Sequence, residues 1–183
     1  MARPSDTSGR FSNAPVSATA RIQIAAPAEV VWRLLVEVRQ WPSWHPDVAW
    51  VHADSPLDAG AMFTWRSKGF TVRSCVQSFR EHQALSWTGE AFGTRAFHSW
   101  TLIPHADGVL LETAELFDGW LPRLMKRFLE PSLEDTLSGW LDRIKTQAEF
   151  LTLRDNLCRP ARSAPSNAAD ASFAQRIGAQ PLS

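Results

Sequence analysis

His98 is the first residue with chemistry within reach. It shares strand parity with Ala96, Trp100 and Leu102, and an imidazole's ordinary pKa lets it take or give a proton near neutral pH. The plain alternative is a core histidine satisfied by a neighbouring strand. Glu115, near the end of a second apolar strand, is the next candidate. A carboxylate there is costly to bury without a partner. Either it pairs with a backbone N–H or with Arg95 or Arg123, or it stays exposed, or it works beside His98 as an interior acid. Glu112 has the opposite parity, so a regular strand cannot turn both acids inward.

The other chemistry-bearing residues form no constellation. His45 and His52 are seven apart around Trp50 and read as loop or surface histidines. There is no HExxH and no Cys/His cluster, so no metal is expected. Arg66, Arg73 and Arg95 read as solvated strand charges, with an anionic ligand at a cavity mouth as the alternative. Cys75 has no adjacent base to activate it. The nucleophile elbow, the P-loop and the dinucleotide glycine fingerprint are all absent, so no nucleotide cofactor is expected.

Composition narrows the class. The chain has 183 residues, 44% hydrophobic and 21% charged, enough for one domain with its own core. Nineteen basic residues balance nineteen acids, which leaves no basic field for nucleic acid. No run of about 18 apolar residues is present, so no integral membrane segment is expected. The N-terminus lacks a signal-peptide core, and the two distant cysteines make no disulfide framework; the expectation is a reduced, cytoplasmic protein. Nine tryptophans and ten phenylalanines with no tyrosine make a bulky interior with few polar handles, since an indole only donates.

The elements that must position these residues follow from periodicity. Alternation predicts strands over residues 18–25, 47–53, 61–67, 70–80, 85–89, 94–103 and 109–118. Pro27 and Glu29 open a helix after the first strand. The two prolines of Trp41-Pro42-Ser43-Trp44-His45-Pro46 then limit the chain to a short turn of helix or a loop. In the second strand Val48, Trp50 and His52 fall on one side. Lys68-Gly69 is a hairpin turn. After Gly119, apolar residues recur at steps of three and four through Leu121, Leu124, Met125, Phe128, Leu129, Leu133, Leu137, Trp140 and Ile144. Pro131 should interrupt that run, giving a lead-in over 120–129 and one long helix over 132–153, roughly 33 Å long. A helix of that length with one apolar face needs the sheet as its partner. A curved sheet around it can leave a cavity of the kind small molecules occupy. On this register Phe63, Trp65, Trp87, His98 and Trp100 face Leu121, Leu124, Phe128 and Trp140 across that space.

Several segments, in order, resemble one superfamily. They are Ile24-Ala25-Ala26-Pro27-Ala28-Glu29-Val30-Val31-Trp32, Trp41-Pro42-Ser43-Trp44, Leu57-Asp58-Ala59-Gly60-Ala61-Met62-Phe63-Thr64-Trp65, Leu85-Ser86-Trp87-Thr88-Gly89, His98-Ser99-Trp100-Thr101-Leu102 and Glu112-Thr113-Ala114-Glu115. Each is weak alone; their order and spacing resemble the SRPBCC (START/Bet v 1-like) superfamily, in its polyketide cyclase/dehydrase-like branch. The resemblance implies an α+β helix-grip fold. In it a seven-stranded curved antiparallel sheet wraps round a long C-terminal helix, two short helices follow the first strand, and a hydrophobic cavity lies between sheet and helix.

The expected organisation is an unstructured segment over residues 1–17, the ligand-binding domain over 18–154 and an unstructured tail over 155–183. Fold does not fix chemistry, so three functions stay open. The first is binding of a hydrophobic or aromatic, lipid- or polyketide-like small molecule without turnover. The second is an aromatase/cyclase or dehydratase using the same cavity, with His98 moving protons and Glu115 orienting it. The third is a cochaperone-type interaction domain working through exposed Trp32, Trp41 and Trp44. The first is preferred.

Overall fold

The computed structural model describes residue 11 and residues 13–158. Seven strands form one antiparallel sheet: β1 (Val16–Ile24), β2 (Val48–Ala53), β3 (Met62–Ser67), β4 (Phe70–Arg80), β5 (Ala84–Ala91), β6 (Thr94–His105) and β7 (Gly108–Asp118). Their spatial order is β1-β7-β6-β5-β4-β3-β2. After β1 the chain closes back beneath the sheet through helix α1 (Ala28–Val36), a 3-10 turn (Val38–Gln40) and helix α2 (Trp41–Trp44). The last element is α3 (Trp120–Leu157), which packs on β1, β6, β7 and α1. This is the helix-grip α+β architecture expected from the sequence. What was expected of residues 1–10, 12 and 159–183 falls outside the described residues.

Local chemistry explains the hairpins. Lys68 and Gly69 both have positive φ, 47° and 87°, the geometry of a two-residue turn whose twist matches the strands it joins. Bulges interrupt β2 between Val48 and Trp50, and β4 between Val76 and Ser78. The first corrects the parity expected for β2. Val48 and Ala53 are buried, whereas Trp50 and His52 turn to solvent, because one extra residue moves everything after it to the other face.

The long helix differs from its expected form in two ways. It runs without a restart through Pro131, and its backbone leaves helical geometry at Met125 (φ −111°, ψ 20°), six residues earlier. Its first half is apolar on two sides, and the sheet selects one of them. Leu129 is partly buried and Leu133 buried, while Leu124 and Phe128 are 77% and 75% exposed. Further along, Leu133, Leu137, Trp140, Leu141, Ile144 and Ala148 are all buried. Polar contacts hold this end. The Lys145 ammonium donates to the Gln23 carbonyl (2.8 Å) and to Glu149 (2.6 Å), and Glu149 accepts from the Ala25 N–H (2.9 Å).

Trp41 sits at the centre of the core, 1% exposed. Its indole N–H donates to the Leu34 carbonyl at 3.0 Å. Its ring meets Phe63, Trp65 and Trp140 edge-on and Trp87 at a tilt, with centroids 5.1–6.0 Å apart. Edge-to-face pairs of this kind add roughly 0.5–1.5 kcal/mol each beyond area burial. The expected exposure of Trp32, Trp41 and Trp44 is therefore corrected. Trp32 is 4% exposed, Trp41 is central, and Trp44 is half-buried against Trp140.

Candidate functional site

Strand register assembles the site. Trp87 of β5 lies opposite His98 of β6, His98 opposite Glu115 of β7, and Glu115 opposite Ala18 of β1. These four make one row across the inner face of the sheet. The adjacent row is Leu85, Trp100, Thr113 and Ala20. On the other side come Ser74, Gly89, Ala96, Phe117 and Val16. Four of those five carry small or medium side chains, and a methyl added at Gly89 would stand 3.1 Å from Val72 Cγ1. Buried apolar residues fall into two clusters. The larger contains Trp41, Phe63, Trp87, Trp100 and Trp140; the smaller is Val16, Ala18, Leu133 and Leu137. Along the first row, His98 and Glu115 stand between the clusters, Trp87 belonging to one and Ala18 to the other.

His98 is 5% exposed and lies between indoles, stacked on Trp100 (centroids 4.8 Å) and tilted against Trp87 (4.9 Å). Its Nε2 is 2.8 Å from Thr113 Oγ1. The Thr113 hydroxyl sends its own proton to the Ser99 carbonyl at 3.1 Å. A hydroxyl has one proton to give, so Thr113 accepts from Nε2–H. The tautomer is thereby fixed, and the Nδ1 lone pair faces Glu115 Oε1 at 3.6 Å.

Burial sets both charges. It lowers the His98 pKa from 6.5 to about 3 and raises that of Glu115 from 4.5 to about 8. Desolvation penalises the charged form of each. At neutral pH the pair is a neutral carboxylic acid beside a neutral imidazole, with one mobile proton and two basic sites within 3.6 Å. At that distance the two do not share a formed hydrogen bond; a small rotation of either side chain makes one.

The other candidates separate from this pair. Arg95 and Arg123, considered as partners for Glu115, both bind Asp118 instead, at 2.8 Å each. The amide N–H of Gly119 and the two guanidiniums hold the Asp118 carboxyl below the usual carboxylate range. Glu112 turns to the outer face, where Arg21 lies 4.0 Å away. Arg66 and Arg73 are exposed. Cys75 is partly buried and unpaired, and among the described residues no group of three or more His, Cys, Asp or Glu could hold a metal. Of the nine expected ligand-binding residues, Phe63, Trp87, His98, Trp100 and Trp140 are buried, while Trp65 and Leu121 are partly accessible. Leu124 and Phe128 depart from the expected packing: they are open to solvent.

Two features escaped the sequence. Thr113 has the parity of Glu115 and sits two residues before it, so β7 alone would have placed it on the same wall. His45, expected in a loop or at the surface, lies in the connection after α2 but is 2% exposed, with its ring 3.9 Å from that of Trp140. Burial lowers its pKa to about 4. Neither of its nitrogens has a protein partner among the described residues, nor do Trp44 Nε1 and Trp100 Nε1. A cleft of about 590 Å³ lies elsewhere, between α1 and the β4–β5 turn, lined by Glu29, Arg33, Glu37, Phe79 and His82 among others. It contains neither His98 nor Glu115.

Comparison with known proteins agrees with this architecture. No curated protein matches the chain. Zhui, an aromatase/cyclase from Streptomyces sp. R1128, superposes with a TM-score of 0.65 at 15% identity, over 73% of this chain and 93% of that one. The hypothetical protein jhp0584 from Helicobacter pylori gives 0.63 at 20% identity, over 73% and 86%. A START superfamily protein from Mycobacterium smegmatis gives 0.58 at 12%, over 75% and 97%. At such identities the likeness is one of fold. Residues 15–149 match the family described as polyketide cyclase / dehydrase and lipid transport, and the chain belongs to that family.

Proposed function

We propose that this protein binds a largely apolar or aromatic small molecule, lipid- or polyketide-like, between the sheet and α3, with one oxygen of the guest against the His98–Glu115 pair. The observation that carries this is the row Trp87–His98–Glu115–Ala18. It sets a neutral acid and a neutral base in a wall of indoles, between two apolar clusters that Ala20 joins. Most of a guest's surface would meet rings and methyl groups. Its one polar atom would meet a donor on Glu115, the arrangement that gives orientation at little cost in desolvation. Native mass spectrometry of freshly purified protein tests the proposal. A retained small molecule is expected, and Glu115→Ala should release it. No retained mass, together with no uptake of any apolar fluorescent probe, would overturn the reading.

The raised Glu115 pKa favours a second reading, that of a cyclase or dehydratase acting on the guest. A carboxylic acid still protonated at pH 7 can give its proton to a departing hydroxyl, which leaves as water. His98 Nδ1 takes the proton released from the adjacent carbon. Transfer from Nδ1 back to the carboxylate, across the 3.6 Å gap, restores both groups. Holding a flexible chain in a reactive shape would supply the rest. Turnover that is lost in His98→Ala while binding survives would identify the enzyme. Turnover retained at the wild-type rate in that variant would remove His98 from the chemistry.

A further inference from the structure

We infer that the first two turns of α3 and the tip of the β5–β6 hairpin form a docking surface for an anionic lipid bilayer. Trp120 and Leu124 precede the break in helical geometry at Met125 and Phe128 follows it; the three recur every four residues and are 58%, 77% and 75% exposed. Phe92, at the hairpin tip, is 73% exposed and meets Trp120 ring to ring at 6.1 Å. The contact is built in. Any Cβ at Gly93 would lie 2.3 Å from Trp120 Nε1, and one at Gly119 would lie 2.2 Å from the Gly93 carbonyl oxygen. Only glycine allows the hairpin tip to press on the helix start. The result is one contiguous apolar ledge from two elements, a feature that marks an interaction surface.

Charge selects the occupant. Arg95, Arg123, Lys126 and Arg127 rim the ledge and are exposed; its acids are the exposed Glu90 and the half-buried Glu130, which pairs with Lys126 at 3.4 Å. Asp118, which binds both Arg95 and Arg123, is recessed, its side chain 14% exposed against 64% and 63% for the guanidiniums. Cations thus outnumber acids four to two at the rim of a chain whose net charge is zero. A short kinked segment that exposes Trp, Phe and Leu with Arg and Lys beside them is suited to lie in a headgroup layer. An acidic protein surface would satisfy the cations but would leave Phe92, Trp120, Leu124 and Phe128 uncovered, whereas a bilayer takes up both.

The test is co-sedimentation of the full chain with vesicles of phosphatidylcholine alone or with 30% phosphatidylglycerol. Binding to the anionic vesicles is expected, falling as salt rises. It should weaken at least about tenfold in Leu124→Glu/Phe128→Glu, which removes two inserted side chains. A similar loss is expected in Lys126→Glu/Arg127→Glu. Circular dichroism and the thermal midpoint should change little, because all four residues are exposed and the Lys126–Glu130 pair lost in one variant is a surface pair. Three outcomes would overturn the inference: no binding to either vesicle, equal binding by the variants, or a concentration-dependent dimer that Leu124→Glu/Phe128→Glu dissolves while vesicles are ignored. The last would assign the ledge to a second copy. Vesicle binding needs no guest inside, so failure here leaves the ligand proposal standing.

Discussion

Replacing Glu115 by glutamine should make the protein more stable, and increasingly so as pH rises. The carboxyl's pKa goes from 4.5 to about 8 on burial. Above pH 4.5 the unfolded chain releases this proton while the folded chain keeps it. Folding therefore becomes less favourable as pH climbs, until the folded group also ionises near pH 8 and the loss levels off. One pKa unit is worth 1.36 kcal/mol, so the cost at pH 7 is about 3 kcal/mol, and the change from pH 5 to pH 8 is about 3–4 kcal/mol. Glutamine has nearly the same shape and no such proton. Its amide can still reach His98 Nδ1, so at pH 7 Glu115→Gln should gain about 2 kcal/mol, after allowing about 1 kcal/mol for a poorer contact. His98 shifts the other way: its lowered pKa destabilises the fold as pH falls below 6.5, in both proteins alike, and cancels in the difference. Urea unfolding of both proteins at pH 5, 6, 7 and 8 is the assay. Stability differences that stay flat across this range, or shrink with rising pH, would refute the argument that Glu115 is held as a neutral acid.

Thr113→Val should cost about 1–2 kcal/mol, since it strands Nε2–H of a buried ring. Thr113→Ser should recover most of it. Side-chain nitrogen shifts of His98 should report the Nε2–H tautomer in the wild type and the serine variant, and lose that signature in the valine variant; an unchanged tautomer would mean that Thr113 does not fix it. Trp41→Ala should destabilise by about 3–5 kcal/mol, as expected for an emptied aromatic core position, whereas Trp50→Ala, on the exposed side of the β2 bulge, should change stability by under about 0.5 kcal/mol. Thermal denaturation separates the two, and equal losses would contradict the placement of Trp41 at the centre.

The inner face of β6 and β7 was legible in the sequence because alternation in an uninterrupted strand has one solution. His98, Trp100 and Glu115 follow from parity, once a neighbouring apolar strand fixes which face is inside. In β2 the same logic failed at Trp50, because a bulge is one extra residue with no mark in the residue pattern. The first half of α3 failed for another reason. Trp120, Leu121, Leu124, Met125, Phe128 and Leu129 form an apolar band too wide for periodicity to choose its buried side, and that choice is made by the sheet. His45 and Trp41 were missed because a two-proline segment reads as a loop, while tertiary packing turns its rings into the core. The Glu115–His98 distance depends on strand pairing, which no local pattern contains.

The contiguous rings also give this protein an optical property of its own. Trp41, Trp65, Trp87, Trp100 and Trp140 are linked by ring contacts with centroids 5.1–6.5 Å apart, close enough for excitation absorbed at one indole to migrate among the others before it is emitted. His45 and His98 touch that network directly. Emission from these five indoles therefore reports on the interior as a unit, beside the separate signal of exposed Trp50 and Trp120. A molecule entering beside one of these rings can alter the light from its linked neighbours too, so the chain can be titrated with unlabelled compounds without attaching a dye.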